Sequence, residues 1–418
     1  MIEFPIKGVK WFREIINDKH RQFGIEVHAT LPEKKIPALQ YGQGTSIIRL
    51  PEQQKLVEDM EYYFGGLPAT KIYPETYAAT IENGTIIGNS GMIITPDGYL
   101  IAETASMTGY RDGRCYMIEH LKKRSFNPPY KGHISSRVLS LANPNAGYAH
   151  HMRESFFSLL WFDNQDIDLI HVVEGPNLER MREFTEDLGI PDEMFLVSKK
   201  MEMISADRVS FFAPCAYLLY RSETANTVRR VLLEPFIREG IKPVRKVYPK
   251  SGVKTVGAKM RSIPGSKKLE RFLIKEGYEV IDLATLSLIE KINYLQEIDT
   301  MLVVYGSSVA NINLSLNDQI KVVSISGPNA IIQGNIMGHN GLLPTYSCPV
   351  IYPVYPDFCF SNGYLMTTEM IHLYYGYRFP KGQFFSCRPS QFTSNFSFEI
   401  DMDMFKKFYK YYTEKIAL

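Results

Sequence analysis

Lys254-TVGAKMRSIPGSKKLERFLIKEGYEVIDLATLSLIEKINYLQEIDTMLVVYGSSVANINLSLNDQIKVVSI-Ser326 decides the fold class. It opens inside the short apolar run VKTVGA, which reads as a strand. Ser266-KKLERFLIKE-Gly277 puts Leu269, Phe272 and Leu273 on one helical face and stops at a glycine, which accepts the left-handed backbone that ends a helix. YEVIDL is the next strand. Ser287 with Glu290 three residues on has the form of a capping box, and Ile289, Ile292 and Leu295 follow at helical spacing. MLVVY reads as a buried strand, Gly306-Ser307-Ser308 as a turn opening a helix over VANINLSL, and IKVVSIS as a closing strand. Strands and helices in alternation make a parallel sheet covered by helices, with ligands bound beyond the strands' C-terminal ends. A turn of small residues that opens a helix leaves backbone N–H groups without helical partners, and an anion suits them.

Working outward, residues 67–145 read as β-rich. GMIITP, Asp97-Gly98 and YLIAE give a strand–turn–strand unit with Pro-Asp-Gly as turn chemistry. Asn143-Pro144-Asn145-Ala146-Gly147 breaks the chain, and a helix is expected from Tyr148 to Trp161. The strand LIHVV, the helix LERMREFTEDLGI and the strand MFLVS complete a first α/β half. Arg238-EGIKPVRKVYPKSG, rich in Pro, Gly and basic residues, reads as the linker to the second.

Composition sets further bounds. A chain of 418 residues with 45% apolar content fills one large core or two ordinary ones, and two suits the pattern better. A net charge of +2 gives no field that favours nucleic acid. The five cysteines are odd in number and form no Cys-x-x-Cys, which fits reduced thiols in a reducing compartment. Nine histidines show no zinc-site spacing. The N-terminus has no secretory apolar core, and no run reaches the about 20 apolar residues that span a bilayer. The expected location is the cytoplasm.

Val303-VYGSSVANINL-Ser315 resembles the C-terminal signature of glycosyltransferase family 61, His-Gly-Ala-Gly-Leu-x-Asn. Gly277–Asp299 is similar to the run that precedes that signature. Gly91-MIITPDGYLIAE-Thr104 resembles the family's Thr-Pro-Asp-Gly hairpin, Gly147-YAHHMRE-Ser155 its Tyr-x-His-x-x-x-Asp helix start, and Leu188-Gly-Ile-Pro-Asp192 its Leu-Gly-Ile-Pro segment. The resemblance runs from about Leu67 to Leu418. It implies the GT-B architecture, an α/β fold of two Rossmann-like domains facing a cleft, here with a β-rich N-terminal portion. The implied organisation is an extension or cover over residues 1–66, an acceptor-side domain over 67–240, a donor domain over 241–350 and a tail over 351–418. The last helix, Asp403-MFKKFYKYYTEKIAL, would pack back on the N-terminal domain. The implied activity is inverting transfer of a sugar from a nucleotide-sugar donor to a hydroxyl of a glycan or polysaccharide acceptor. Three positions depart from the family: Tyr305 stands where its motif histidine falls, Ser308 where its second glycine falls, and Ser324 where a glutamate often falls. Tyrosine, with a pKa near ~10, is a poor base at neutral pH. The alternative is therefore a catalytically inactive glycan- or nucleotide-binding protein on the same fold.

Glycosyl transfer needs a base for the acceptor hydroxyl and positive charge or N–H dipoles for the departing diphosphate. His150 and Glu154 match the family's His and Asp positions and stand four apart at a helix start, so they share a face. Either serves as base with the other orienting it; the plainer reading is a surface ion pair. Lys259 and Arg261, with the amides of Gly306, Ser307 and Ser308, are the diphosphate candidates, against a plainer reading as solvated loop cations. Tyr305 lines the same turn, and Asn311 either binds donor or anchors the loop. Asp166-Ile-Asp168 precedes a strand rather than following one, and Asp403 suits a helix N-cap, so metal-independent chemistry without a cofactor is expected. The tail helix interleaves lysines with aromatics; it either makes a weak membrane-surface contact or packs its aromatic face and solvates its lysines.

Overall fold

The protein is described by a computed structural model. It covers residues 8–10, 12–19, 24–31, 34–37, 47–48, 70–73, 75–88, 91–105, 129–142, 148, 151–161, 166–199, 202–213, 230–231, 233–250, 266–304, 307–317, 320–325, 350–351, 360–361, 364–365, 402–403, 405–406, 409–410 and 413. The fold is mixed α/β. The chain divides into two compact units, Met1–Lys34 with Tyr73–Pro235, and Lys35–Ile72 with Phe236–Leu418.

The first unit is built on a ten-stranded mixed sheet. Its parallel portion consists of β1 (Tyr130–Ser140), β2 (Leu169–Val173), β3 (Phe195–Ser198) and β4 (Met203–Ala213). They lie in the order β4-β1-β2-β3. The apolar run of β2 is that of a strand covered on both faces. The far side of β4 pairs antiparallel with Thr76–Glu82 and Thr85–Ile87. The expected hairpin follows as Met92–Ile94 and Tyr99–Ile101. Its turn is closed by the Gly98 N–H donating to the Thr95 carbonyl at 2.9 Å, and Gly98 has φ 93°, a value that favours glycine.

The N-terminal segment is part of this unit's sheet. Gly8–Lys10 pairs parallel with Tyr99–Ile101, and Glu26–Leu31 pairs antiparallel with Thr76–Glu82. Between them α1 (Phe12–Lys19) buries Phe12 edge-on against Tyr77 and Phe211, at centroid distances of 5.0 and 5.4 Å. Ile15, Ile81, Ile86, Val138 and Val209 complete that core.

The second unit holds a six-stranded parallel sheet. It contains β5 (Arg245–Pro249), β6 (Glu279–Ile281), β7 (Ile298–Val304), β8 (Lys321–Ile325) and β9 (Val350–Ile351). The order is β6-β5-β7-β8-β9, closed by Ile47–Ile48. α2 (Pro176–Thr185) belongs to the first unit; α3 (Ser266–Lys275) and α4 (Leu288–Gln296) belong to the second. α3 buries Leu269 and Leu273 and ends at Gly277, where the Tyr278 N–H reaches back to the Leu273 carbonyl at 2.9 Å. α4 opens with the expected capping box: Ser287 Oγ accepts from the Glu290 N–H, and Glu290 Oε2 accepts from the Ser287 N–H.

Two expectations are corrected. The stretch read as a linker contains β5, with Val247 and Tyr248 buried. One of its basic residues is committed to the sheet: Arg245 pairs with Glu279 and Glu297 at the strand's start. VKTVGA lies outside the described residues. The helix expected over Tyr148–Trp161 is instead a π-helix over His151–Ser155 running into a 3-10 helix over Phe156–Trp161. Tyr148 and Phe156, on either side of the π-helix, both rest on Phe184. The described residues of the last helix make contacts within the second unit. Phe405 and Tyr409 contact Phe272 edge-on at 5.8 and 5.3 Å, because α3 leaves that ring beside its buried leucines.

Candidate active site

In an open parallel sheet the crevice for a ligand forms where strand order reverses, since the connections from the two strands there leave in opposite directions. Among the described residues each unit has one such place. In the second unit it lies between β5 and β7: the chain goes from β5 outward to β6, then returns to the other side of β5. In the first it lies between β1 and β4: the chain goes outward through β2 and β3, then returns beside β1.

The donor candidates belong to the loops at the second unit's reversal. In sequence Gly306-Ser307-Ser308 follows β7 after Tyr305, and Ser307–Leu314 is a 3-10 helix. Asn311 is buried within it. Lys259 and Arg261 fall in the connection from β5 to α3. Lys259, Arg261, Tyr305, Gly306 and the side chains of Ser307 and Ser308 lie outside the described residues. The sequence reading missed Lys250. It is exposed, and it is the first residue past β5, where its N–H donates to the Ile281 carbonyl at 2.9 Å. Its place just after Val247-Tyr248-Pro249 was the available signal, hidden by the linker reading.

The acceptor-side candidates follow β1 at the first unit's reversal. Glu154 lies on the π-helix; His150 and the Glu154 side chain are outside the described residues. π-turns occur often at functional sites. The segment is anchored at both ends on α2: Phe184 meets Tyr148 at 5.7 Å and Phe156 at 5.1 Å. His151, the first residue of the π-helix, is fully buried. Asn177 ties the ends of β1 and β2 together. Its Oδ1 accepts from the Val173 N–H at 2.8 Å, and its Nδ2 reaches the Leu141 carbonyl at 3.5 Å.

At the strand ends a polar row of Ser140, His171 and Ser198 crosses β1, β2 and β3, its last two members buried. His171 Nε2 lies 2.8 Å from Ser198 Oγ, and His171 Nδ1 lies 3.5 Å from Ser140 Oγ. Burial pushes the imidazole down to about 3, with Lys131 adding to the shift, so it is neutral at physiological pH. Tight packing covers this row: a Cβ at Gly88 would stand 2.6 Å from Ser198 Oγ, and one at Gly91 would stand 2.9 Å from the Ala142 carbonyl.

Asp166 and Asp168 are committed elsewhere. Asp168 accepts from Arg137 Nη2 at 2.8 Å and from the Arg137 N–H at 2.8 Å, and Asp166 accepts from Arg137 Nη1 at 3.2 Å. The guanidinium holds the Asp168 carboxyl below its ordinary value. Among the described residues no group of three His, Cys, Asp or Glu side chains gathers as a metal site would, and no helix is long and apolar enough to cross a membrane.

Residues 132–323 match the sequence model of the family described as Glycosyltransferase 61. The resemblance read from the motifs is borne out over that span, which begins in β1 and ends in β8. The family implies glycosyl transfer in general, with a donor and an acceptor as substrates. No curated protein matches the chain.

Proposed function

We propose, from the Glycosyltransferase 61 match, that this chain is an inverting glycosyltransferase. It takes a sugar from a nucleotide-sugar donor to a hydroxyl of a glycan or polysaccharide acceptor. One observation carries the reading: the matched span 132–323 contains both strand-order reversals, and the candidates for the two halves of the chemistry follow the strands at those two places.

In the proposed mechanism His150 or Glu154 takes the proton of the acceptor hydroxyl as its oxygen attacks the anomeric carbon. The bond from that carbon to the diphosphate breaks on the opposite face, which inverts the configuration. Lys250, Lys259 and Arg261, with the amides at Gly306, Ser307 and Ser308, receive the charge that develops on the leaving diphosphate. Such a set of cations and N–H dipoles performs the task without a metal. Two Rossmann-like halves of a GT-B enzyme and a cytoplasmic place in polysaccharide synthesis complete the reading.

A second reading has its own observation. Tyr305 and Ser324 stand where the family's histidine and glutamate fall, and Ser324 lies on β8 opposite Val303 in the register. That substitution pattern favours a binding protein without turnover. Thermal unfolding against a panel of nucleotides and nucleotide sugars separates a donor site from none, because a ligand of the native state raises the midpoint. The proposal expects one nucleotide class to raise it, and expects Lys259→Ala/Arg261→Ala to abolish the effect. No shift with any nucleotide at millimolar concentration contradicts the donor site.

A further inference from the structure

We propose that Glu103 is a proton-dependent latch on the N-terminal segment: α1, together with the strand before it, opens from the first unit's sheet more readily once this carboxyl is ionised. Among the described residues Gly8–Lys10 stands at one end of the strand order and pairs with one neighbour, Tyr99–Ile101. The two strands run parallel, and each leads into a helix: the first into α1, the second into a 3-10 helix over Ala102–Ala105. Glu103 thereby comes beside the first turn of α1. The Phe12 N–H, which has no acceptor within its own helix, donates to both Glu103 oxygens, at 3.1 and 2.9 Å. A residue 91 positions along the chain is thus the cap of α1. Phe12 and Ile15 of the same segment are buried in the core, Phe12 against Tyr77 and Phe211.

The surroundings of this buried carboxyl disfavour its charge. Among the described residues no guanidinium or ammonium group bonds it. Glu14 on α1 and Glu75, just before Thr76–Glu82, both repel a carboxylate there. Tyr77 gives its O–H to Glu75 rather than to Glu103. Arg13 acts on Tyr77, and the Lys10 ammonium lies 4.4 Å from the centre of the Tyr99 ring. An ionised Glu103 therefore has only N–H dipoles to offset lost hydration and two like charges. Burial is the largest of these effects, and the carboxyl is pushed up to about 7. In an opened segment it meets water and returns to the ordinary 4.5. Opening then releases a proton between those values, so it becomes easier as pH rises from about 4.5 to about 7 and is level above. The opening is local because the seam is short: Gly8–Lys10 is held along one edge, whereas β2 has β1 and β3 on its two sides.

The test is amide hydrogen exchange of the full chain at pH 5 and pH 8, with each rate divided by the intrinsic rate at that pH. The amides of α1 are compared with those of β2. The expected result is an opening of α1 that is greater at pH 8 than at pH 5 by on the order of fiftyfold. The amides of α1 are also expected to be less protected than those of β2 at both pH values, as a local opening requires. Glu103→Gln keeps an acceptor for the Phe12 N–H and cannot ionise, so the rise is expected to vanish in that variant while α1 stays folded. An opening of α1 that is equal at the two pH values overturns the latch, and so does a rise that survives in Glu103→Gln. Equal protection of α1 and β2 makes the opening global and overturns the local unit. If Glu103→Gln does not fold, Glu75→Gln takes its place. That variant removes one neighbouring charge, so the rise is expected to shrink, and an unchanged rise overturns the latch.

Discussion

Glu103 accepts from the Phe12 N–H through both carboxylate oxygens, at 3.1 and 2.9 Å, and so holds the first residue of α1 to the sheet of the first unit. The carboxyl is 5% exposed. Burial pushes it up to about 7 from the ordinary 4.5; Glu14 and Glu75 add to the rise, and the Phe12 N–H opposes it. Between those values the native state holds a proton that the unfolded chain has released. Stability from this residue therefore falls as pH rises from about 4.5 to about 7, and is level above that, by on the order of 3 kcal/mol in all. Glu103→Gln removes this slope. Urea unfolding at pH 5 and pH 8 is expected to show the variant gaining on the native protein at the higher pH. A difference that does not change with pH assigns the slope elsewhere.

His171 gives the opposite slope at lower pH. Its folded value near 3 lies below the ordinary 6.5, so the unfolded chain binds the extra proton between them. Stability is lost as pH falls from about 6.5 toward about 3. The neutral ring serves the Ser198 contact at 2.8 Å, and protonation would place an unpaired charge in the core. NMR of the imidazole is expected to show no titration from pH 8 to pH 5 while the protein stays folded. A midpoint near 6 to 7 contradicts the buried neutral ring.

Phe184 carries the segment that bears Glu154. Truncation to alanine removes its contacts with both Tyr148 and Phe156. A cost of about 3–5 kcal/mol is expected for a fully packed phenylalanine. Phe184→Leu keeps most of the volume and is expected to cost much less. Chemical denaturation of the two variants checks the ratio; equal and small losses would mean that the segment does not rest on this ring.

Ser287→Ala breaks one half of the capping box of α4 and leaves the Glu290 N–H unpaired. The expected cost is about 1 kcal/mol. Arg245→Ala, although it severs contacts with both Glu279 and Glu297, removes a guanidinium that is 42% exposed, so its ion-pair contribution is also expected to be about 1 kcal/mol or less and to shrink with salt. Unfolding in low and high salt distinguishes the two: the Ser287 effect stays and the Arg245 effect fades.

Local chemistry made part of this fold legible. Ser287 with Glu290, Gly277 after an amphipathic run, and Pro96-Asp97-Gly98 between apolar runs each act within a few residues, and each has the structure expected of it. RKVYP was misread because Arg245, Lys246 and Pro249 signal a loop in sequence. What makes the segment a strand is distant: Glu279 and Glu297 meet Arg245, and β6 and β7 flank Val247. The residues before 66 were equally illegible, since Gly8–Lys10 is a strand only because Tyr99–Ile101 offers it an edge. For the site, residue types pointed to His150, Glu154, Lys259 and Arg261, but the order of strands in a sheet is not written along the chain. The reversals at β5/β7 and β1/β4, and with them Lys250, came only from the structure.

Glycosyl transfer measured directly tests the central claim. The native protein, incubated with nucleotide sugars and hydroxyl-bearing glycans, is expected to release a nucleoside diphosphate from one donor class and to give a product of inverted anomeric configuration by NMR. His150→Ala/Glu154→Ala is expected to lower turnover by about a hundredfold or more while donor binding persists. A product with retained configuration contradicts the single displacement. Donor binding without diphosphate release from any acceptor tried contradicts the enzyme reading and leaves a binding protein in its place.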